Sequence, residues 1–192
     1  MNKLSFVAIA LGVAVSAPAA AQFASARTDF AKAVQQRDGD KATQLLRDNP
    51  NGLVDARDEH GNTPLIVTIA RQDHDWTAFL LNKGADPNLS GKGGDTPLIA
   101  AARAGFEEAV EWLLSSGARV DTANRMGETA LIVAVQQRQV PIVKVLLAKG
   151  ADPDKTDTAA GLSARDYAVR DTRSRQILQL IEAKKPKASA AR

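Results

Sequence analysis

His60 and His74 are the only imidazoles in the chain, and Asp73-His74-Asp75 is the one place where an imidazole stands between carboxylates. The donor types would suit zinc. Adjacent residues on a helix or turn point in different directions, however, so the three side chains cannot easily converge on one ion. The triplet reads as a solvated turn between helices. Ser90-Gly91-Lys92-Gly93-Gly94 looks superficially like a phosphate loop, but Asp86 occupies the place of the first glycine, so the spacing fails and a flexible hairpin tip is expected. No His-Glu-x-x-His, Gly-x-Ser-x-Gly or Ser-x-x-Lys occurs, which leaves zinc-hydrolase and serine-hydrolase readings without their minimum parts. The absence of cysteine removes thiol nucleophiles, thiolate ligands and disulfides together. Paired acids such as Asp38 with Asp40 and Glu107 with Glu108 read as exposed helix ends. No catalytic, metal-binding or cofactor-binding residue is expected.

Three copies of one pattern organise the chain. Gly61-Asn62-Thr63-Pro64-Leu65 returns as Gly94-Asp95-Thr96-Pro97-Leu98 and as Gly127-Glu128-Thr129-Ala130-Leu131, each 33 residues after the last. Gly84-Ala85-Asp86, Gly117-Ala118-Arg119 and Gly150-Ala151-Asp152 keep the same period. Self-similarity at this period marks a solenoid of stacked units. Two weaker copies flank the three. Ala33-Val34-Gln35-Gln36-Arg37 matches Ala134-Val135-Gln136-Gln137-Arg138, and Gly161-Leu162-Ser163-Ala164 closes the array. The units expected are 28–57, 58–90, 91–123, 124–156 and 157–182.

Within a unit, Thr63, Thr96 and Thr129 are suited to accept a backbone N–H at a helix start, and Pro64 and Pro97 fall where a missing N–H does no harm. Leu65, Thr68 and Ile69, like Leu98, Ala101 and Ala102, recur at helical spacing, with small residues that admit a neighbouring helix. A second short helix carries Trp76, Phe79, Leu80 and Leu81, then Ala109, Val110, Leu113 and Leu114, then Ile142, Val143, Leu146 and Leu147. Gly84, Gly117 and Gly150 stop it, because the left-handed backbone at a helix end is costly for a residue with a Cβ. The segment from Asp86 to Gly94 is expected as loop or hairpin. Trp76, Phe79 and Trp112 read as packing residues, and Phe30 and Tyr167 help close the ends. Arg165, Arg170, Arg173, Arg175 and Gln179 give the last unit a polar outer face.

At these residues the chain resembles the ankyrin repeat family over roughly 28–182. The resemblance implies an all-α solenoid of about five stacked helix-turn-helix units with short hairpin loops, whose concave face usually grips another protein. The family's His after Thr-Pro-Leu is replaced by Ile66, Ile99 and Ile132, which implies apolar packing in place of a hydrogen-bond network. The glycine between paired helices is kept at Gly105, whereas Gln72 and Arg138 replace it elsewhere, so less regular turns are expected there. Carrying over the family's contact positions gives Gln35, Gln36, Ala70, Arg71, Arg103, Ala104, Gln136, Gln137 and Arg170 on the helices. On the hairpin tips it gives Glu59, His60, Asn62, Ser90, Lys92, Asp95, Arg125, Met126 and Glu128. A row rich in Arg and Gln favours a partner presenting acids or backbone carbonyls.

The first 21 residues differ in kind. Lys3, the apolar stretch from Leu4 to Val15 and Ala19-Ala20-Ala21 before Gln22 fit a secretory signal cleaved between Ala21 and Gln22. The stretch falls short of the ~20 residues that span hydrocarbon, so stable membrane insertion is not expected. A periplasmic protein of 171 residues results, with 22–27 as a linker before the repeats and 183–192 as a basic disordered tail. The net charge of +3 is small, and part of the excess behind the sequence pI of about 9.3 lies in Lys184-Lys185-Pro186-Lys187 and Arg192, so nucleic acid is not the expected partner. The leading function is a non-catalytic module binding another protein, monomeric when unbound. The alternatives are a metal-dependent or enzymatic accessory factor using the two histidines, and an envelope-associated structural protein held by the basic tail.

Overall fold

A computed structural model describes residues 19–50 and 52–183, with the side chains of 19–23 excepted. Residues 1–18 of the expected signal segment (1–21) and the expected tail from 184 lie outside the described residues. Among the described residues ten helices alternate in five pairs: α1 (Ala19–Gln36) with α2 (Gly39–Asp48), α3 (Pro64–Ala70) with α4 (His74–Asn82), α5 (Pro97–Ala104) with α6 (Glu107–Ser115), α7 (Ala130–Gln136) with α8 (Val140–Ala148), and α9 (Ala164–Arg170) with α10 (Arg175–Ala183). A single 3₁₀ turn, Thr172–Ser174, joins the last pair. Among the described residues there is no strand; an isolated antiparallel bridge joins Thr156 and Ser163. The first helices α1, α3, α5, α7 and α9 touch in sequence as one layer, and α4, α6, α8 and α10 form a second. This is the expected all-α solenoid.

The starts are set by side-chain oxygens. Thr63, Thr96 and Thr129 accept from the backbone N–H of Ile66, Ile99 and Ile132 at 3.3, 3.2 and 3.3 Å. Ser163 does the same for Asp166, whose carboxylate returns a bond to the Ser163 N–H, a reciprocal cap. The short helices would be unstable alone, so packing must hold them. Leu65, Leu98 and Leu131 are fully buried, and each such side chain contributes roughly 1.5–3 kcal/mol. Ala33, Thr68, Ala101, Ala134 and Ala168 occupy one register position and are all buried, which lets paired helices approach closely. The Thr68 hydroxyl, the polar member of that set, donates to the Leu65 carbonyl at 3.0 Å. Ile66, Ile99 and Ile132 are buried as well, so the substitution for His is an apolar one in packing as in type.

Two expectations are corrected. Residues 22–27 are not a linker but part of α1. The reason is a stripe at Ala26, Phe30, Ala33 and Val34, all buried, whose helical spacing extends the packed face upstream of the first repeat signature. The turns at Gln72 and Arg138 are not irregular either. Both residues adopt the left-handed backbone, with φ of 53° and 55°, and Arg37 does so at 58°, as Gly105 does at 72°. Each of the three sends its side chain to the following unit. Arg37 reaches Asp73 (3.2 Å) and Asp75 (3.4 Å), Gln72 Nε2 donates to the Ala104 carbonyl (2.6 Å), and Arg138 meets Asp171 (2.6 Å). These bonds offset a strained backbone.

The array ends unevenly. Val34, Ile69, Ala102 and Val135 are buried at one register position, while their counterpart in the last described unit, Val169, is 60% exposed. Elsewhere the last unit is polar, as expected, and Arg165 does more than face water. Its guanidinium grips Asp154 of the preceding loop at 2.7 and 3.3 Å, which outweighs partial burial and holds the group above its ordinary range.

Candidate protein-binding face

The register position Gln35, Ala70, Arg103, Gln136 and Arg170 lies at the ends of successive first helices, and all but the half-buried Gln136 are exposed. Gln36, Arg71 and Gln137 follow by one residue and are exposed, with Ala104 half-buried beside them. The hairpin tips supply the second row. Glu59, His60, Lys92, Arg125 and Met126 are exposed, Met126 at 50%.

Other predicted residues are occupied within the molecule. Arg103 Nε donates to Asp95 at 3.1 Å and its Nη2 to Glu128 at 3.3 Å, which ties two successive hairpins to α5. Partial burial works against the guanidinium, but the two carboxylates outweigh it and hold the group above its ordinary range. Asn124 completes the cluster, donating to Asp95 at 2.7 Å and Glu128 at 2.9 Å. Asn62 is also a brace. Its carbonyl oxygen accepts the Lys92 backbone N–H at 3.3 Å, while its own N–H donates to Asp58 at 2.8 Å. The half-buried Ser90 lies in the same loop region.

Hairpins are held by carboxylates and carboxamides turned inward. Asp58 Oδ1 accepts from the N–H groups of His60 and Asn62, Asn124 Oδ1 accepts from Met126 and Glu128, and Asp157 Oδ1 accepts from Ala160 and Gly161. Asp157 also receives the Tyr167 hydroxyl at 2.6 Å. Burial raises its carboxyl, but this hydroxyl and the N–H donors prevail and leave it below the usual range. Successive tips touch, since Thr158 N–H donates to the Met126 carbonyl at 2.9 Å.

The histidines are not brought together. His60 lies 3.6 Å from Glu59 at a hairpin tip. His74 opens α4, packs edge-on against Phe106 (4.5 Å between ring centres) and stands 3.7 Å from Glu108. Asp73 is not a ligand in this arrangement but the cap of α4, accepting the Trp76 N–H at 3.3 Å. Among the described residues no group of three or more His, Cys, Asp or Glu could hold a metal ion.

A recess of about 400 Å³ opens between α1 and the first hairpin, lined in part by Arg27, Lys32, Gln35, Arg57 and His60. Of the lining residues, Gln35, Glu59 and His60 were legible as site residues. Arg27 lay in the supposed linker, and the first unit lacks the Thr-Pro-Leu marker that would have fixed its register. The usable signal was Lys32, which stands where Val67, Ala100 and Val133 stand in later units.

The four capped first helices, their hairpins and the three second helices that end at a glycine agree with a profile described as ankyrin repeats (three copies), which matches residues 30–124 and 70–157. The chain belongs to the ankyrin repeat family. No curated protein matches it. Ankyrin repeats are in general protein–protein interaction modules. Among the described residues, no helix of this ankyrin protein is long and apolar enough to cross a membrane.

Proposed function

We propose that this ankyrin repeat protein is a non-catalytic module that acts in the periplasm by occupying the surface of a partner protein, through the face made by its first helices and hairpin tips. The observation that carries the reading is the row from Gln35 to Arg170, one position repeated along five stacked helices, four of its five members exposed. Ala70 and Ala104 in that region leave space beside the helices for an incoming side chain. Export is supported by the order of charge, apolar stretch and small residues ahead of Gln22.

Site-specific photo-cross-linking tests the reading. A photoreactive residue at position 70 or 137 should capture a partner in living cells, and one at the exposed Lys144 on α8 should not. Cross-links at 144 alone would assign binding to the opposite layer and refute it. Fractionation of the same cells should place the cross-linked product in the periplasm; a cytoplasmic product would overturn the location.

A further inference from the structure

Charges are not evenly answered along the first-helix face. Arg103 is matched by Asp95 and Glu128, Arg138 by Asp171, and Arg165 by Asp154. At the α1 end the balance differs. Arg27 Nη2 donates to the Arg57 carbonyl at 2.8 Å, and Arg57 Nη1 donates to the Gly61 carbonyl at 2.6 Å. Both guanidinium groups are thereby fixed in position by neutral oxygens; among the described residues neither is in an ion pair, and Asp55 is a carboxylate that feels the Arg57 charge. Lys32 is exposed on the same recess, and among the described residues no carboxylate lies within ion-pair distance of it.

Two acids, Asp58 and Glu59, share the lining and offset part of this charge, but neither is in an ion pair with Arg27, Lys32 or Arg57. Asp58 has its Oδ1 committed to two backbone N–H groups of its own hairpin. Glu59 also lines the recess, but its side chain is 86% exposed and stands 3.6 Å from His60. Asp29, one turn before Lys32 on α1, is half-buried and does not line the recess.

We infer that the recess between α1 and the first hairpin receives an acidic peptide segment of the partner, with Arg27, Lys32 and Arg57 meeting its carboxylates. The inference rests on the reading of this face as a protein-binding surface and adds the chemistry of what it binds. Guanidinium groups already held in place lose little freedom on meeting a carboxylate, and their planar fork can engage both of its oxygens. Gln35, at the end of the recess, can donate to the segment's backbone carbonyls. A single nucleic acid strand is the less suitable occupant, because the lining residues include no Phe, Tyr or Trp on which bases could stack.

Fluorescence anisotropy with the purified protein tests this. The probe is a short labelled peptide alternating Glu and Ser, compared with its Gln counterpart. The Glu peptide should bind at least about tenfold more tightly, and the difference should shrink between about 50 mM and about 300 mM salt. Lys32→Glu should weaken binding of the Glu peptide by about tenfold or more, and Arg27→Gln by a smaller factor. Lys144→Glu on α8 should leave it unchanged, and far-ultraviolet circular dichroism of each variant checks the fold. Equal binding of the two peptides, no binding of either, or equal loss in Lys144→Glu and Lys32→Glu would overturn the inference. Displacement of the Glu peptide by oligothymidylate at equal charge concentration would overturn it in favour of nucleic acid. Cross-links at position 70 or 137 that persist while the Glu preference fails would sink this inference and spare the broader one. Loss of those cross-links strikes the broader reading instead.

Discussion

Gly61, Gly94 and Gly127 hold one position in three successive hairpins, with φ of 79°, 84° and 76°. Replacing each by Ala imposes the same left-handed strain, about 1–2 kcal/mol. The space around each is different. A Cβ at Gly61 would meet Lys92 Cβ at 3.6 Å, an ordinary contact. At Gly94 it would stand 2.9 Å from Arg125 Cγ and 3.0 Å from the Arg125 backbone N. At Gly127 it would stand 2.5 Å from the backbone N of Thr158 and 3.0 Å from Asp157 Cα, main-chain atoms that cannot turn aside. Gly61→Ala should therefore cost about 1–2 kcal/mol, and Gly127→Ala an additional 1–3 kcal/mol or so from overpacking, with Gly94→Ala between. Urea unfolding followed by circular dichroism gives the three values. Because conformational strain is common to all, the differences isolate how tightly one hairpin presses on the next. Equal costs across the series, or the largest at Gly61, would refute the graded stacking of the tips.

Three further outcomes follow from single contacts. Tyr167→Phe removes the hydroxyl that reaches buried Asp157 at 2.6 Å and should destabilise by about 1.5–3 kcal/mol in a thermal melt at neutral pH; no change would mean that Asp157 is satisfied without it. Arg138→Gly should stabilise an Asp171→Asn background by about 0.5–1 kcal/mol, the relief of left-handed strain less the added freedom of glycine in the unfolded chain. The same change should gain less when Asp171 is intact, and equal gains would show that the Arg138–Asp171 contact contributes nothing. The Asp171 carboxyl, bonded to Arg138, is held down to about 2 from 3.8. A depressed carboxyl lends stability above its unfolded value and loses it as pH falls through the folded one. The advantage of the native protein over Asp171→Asn should thus be complete above about pH 5 and fall away as pH drops through about 2, as read from parallel melts; an advantage undiminished at about pH 1 would exclude this carboxylate as its source.

Much of the architecture is legible because each unit carries its own punctuation. Thr63, Thr96 and Thr129 announce helix starts through a local hydrogen bond, and Gly84, Gly117 and Gly150 announce ends through a backbone shape that few other residues accept. Local rules of this kind survive without knowledge of the rest of the chain. The turns at Gln72 and Arg138 were misleading for the opposite reason. Their backbone shape is fixed by stacking and by bonds to residues 32 and 33 positions later, so the residue type alone points elsewhere. The candidate surface shows the same division. Exposed positions such as Arg71 and Gln137 follow from the repeat period, whereas the engagement of Arg103 by Asp95 and Glu128 joins residues 8 and 25 positions apart and depends on how hairpins lean together. The recess at α1 was hidden because the first unit lacks the marker that sets register, and its lining begins upstream of the expected boundary.

The contacts made by Arg37, Gln72 and Arg138 all run in one direction, from a unit to its successor. Each of these turns therefore borrows its support from sequence that leaves the ribosome later. A growing or truncated chain that stops short of the receiving unit carries the awkward turn without its compensation, so the last complete pair is weaker than its own residues would make it. Shortening this protein from its C-terminal side should loosen the unit before the cut as well as remove the one beyond it, and duplicating or shuffling units would demand matched donors and acceptors across every new junction.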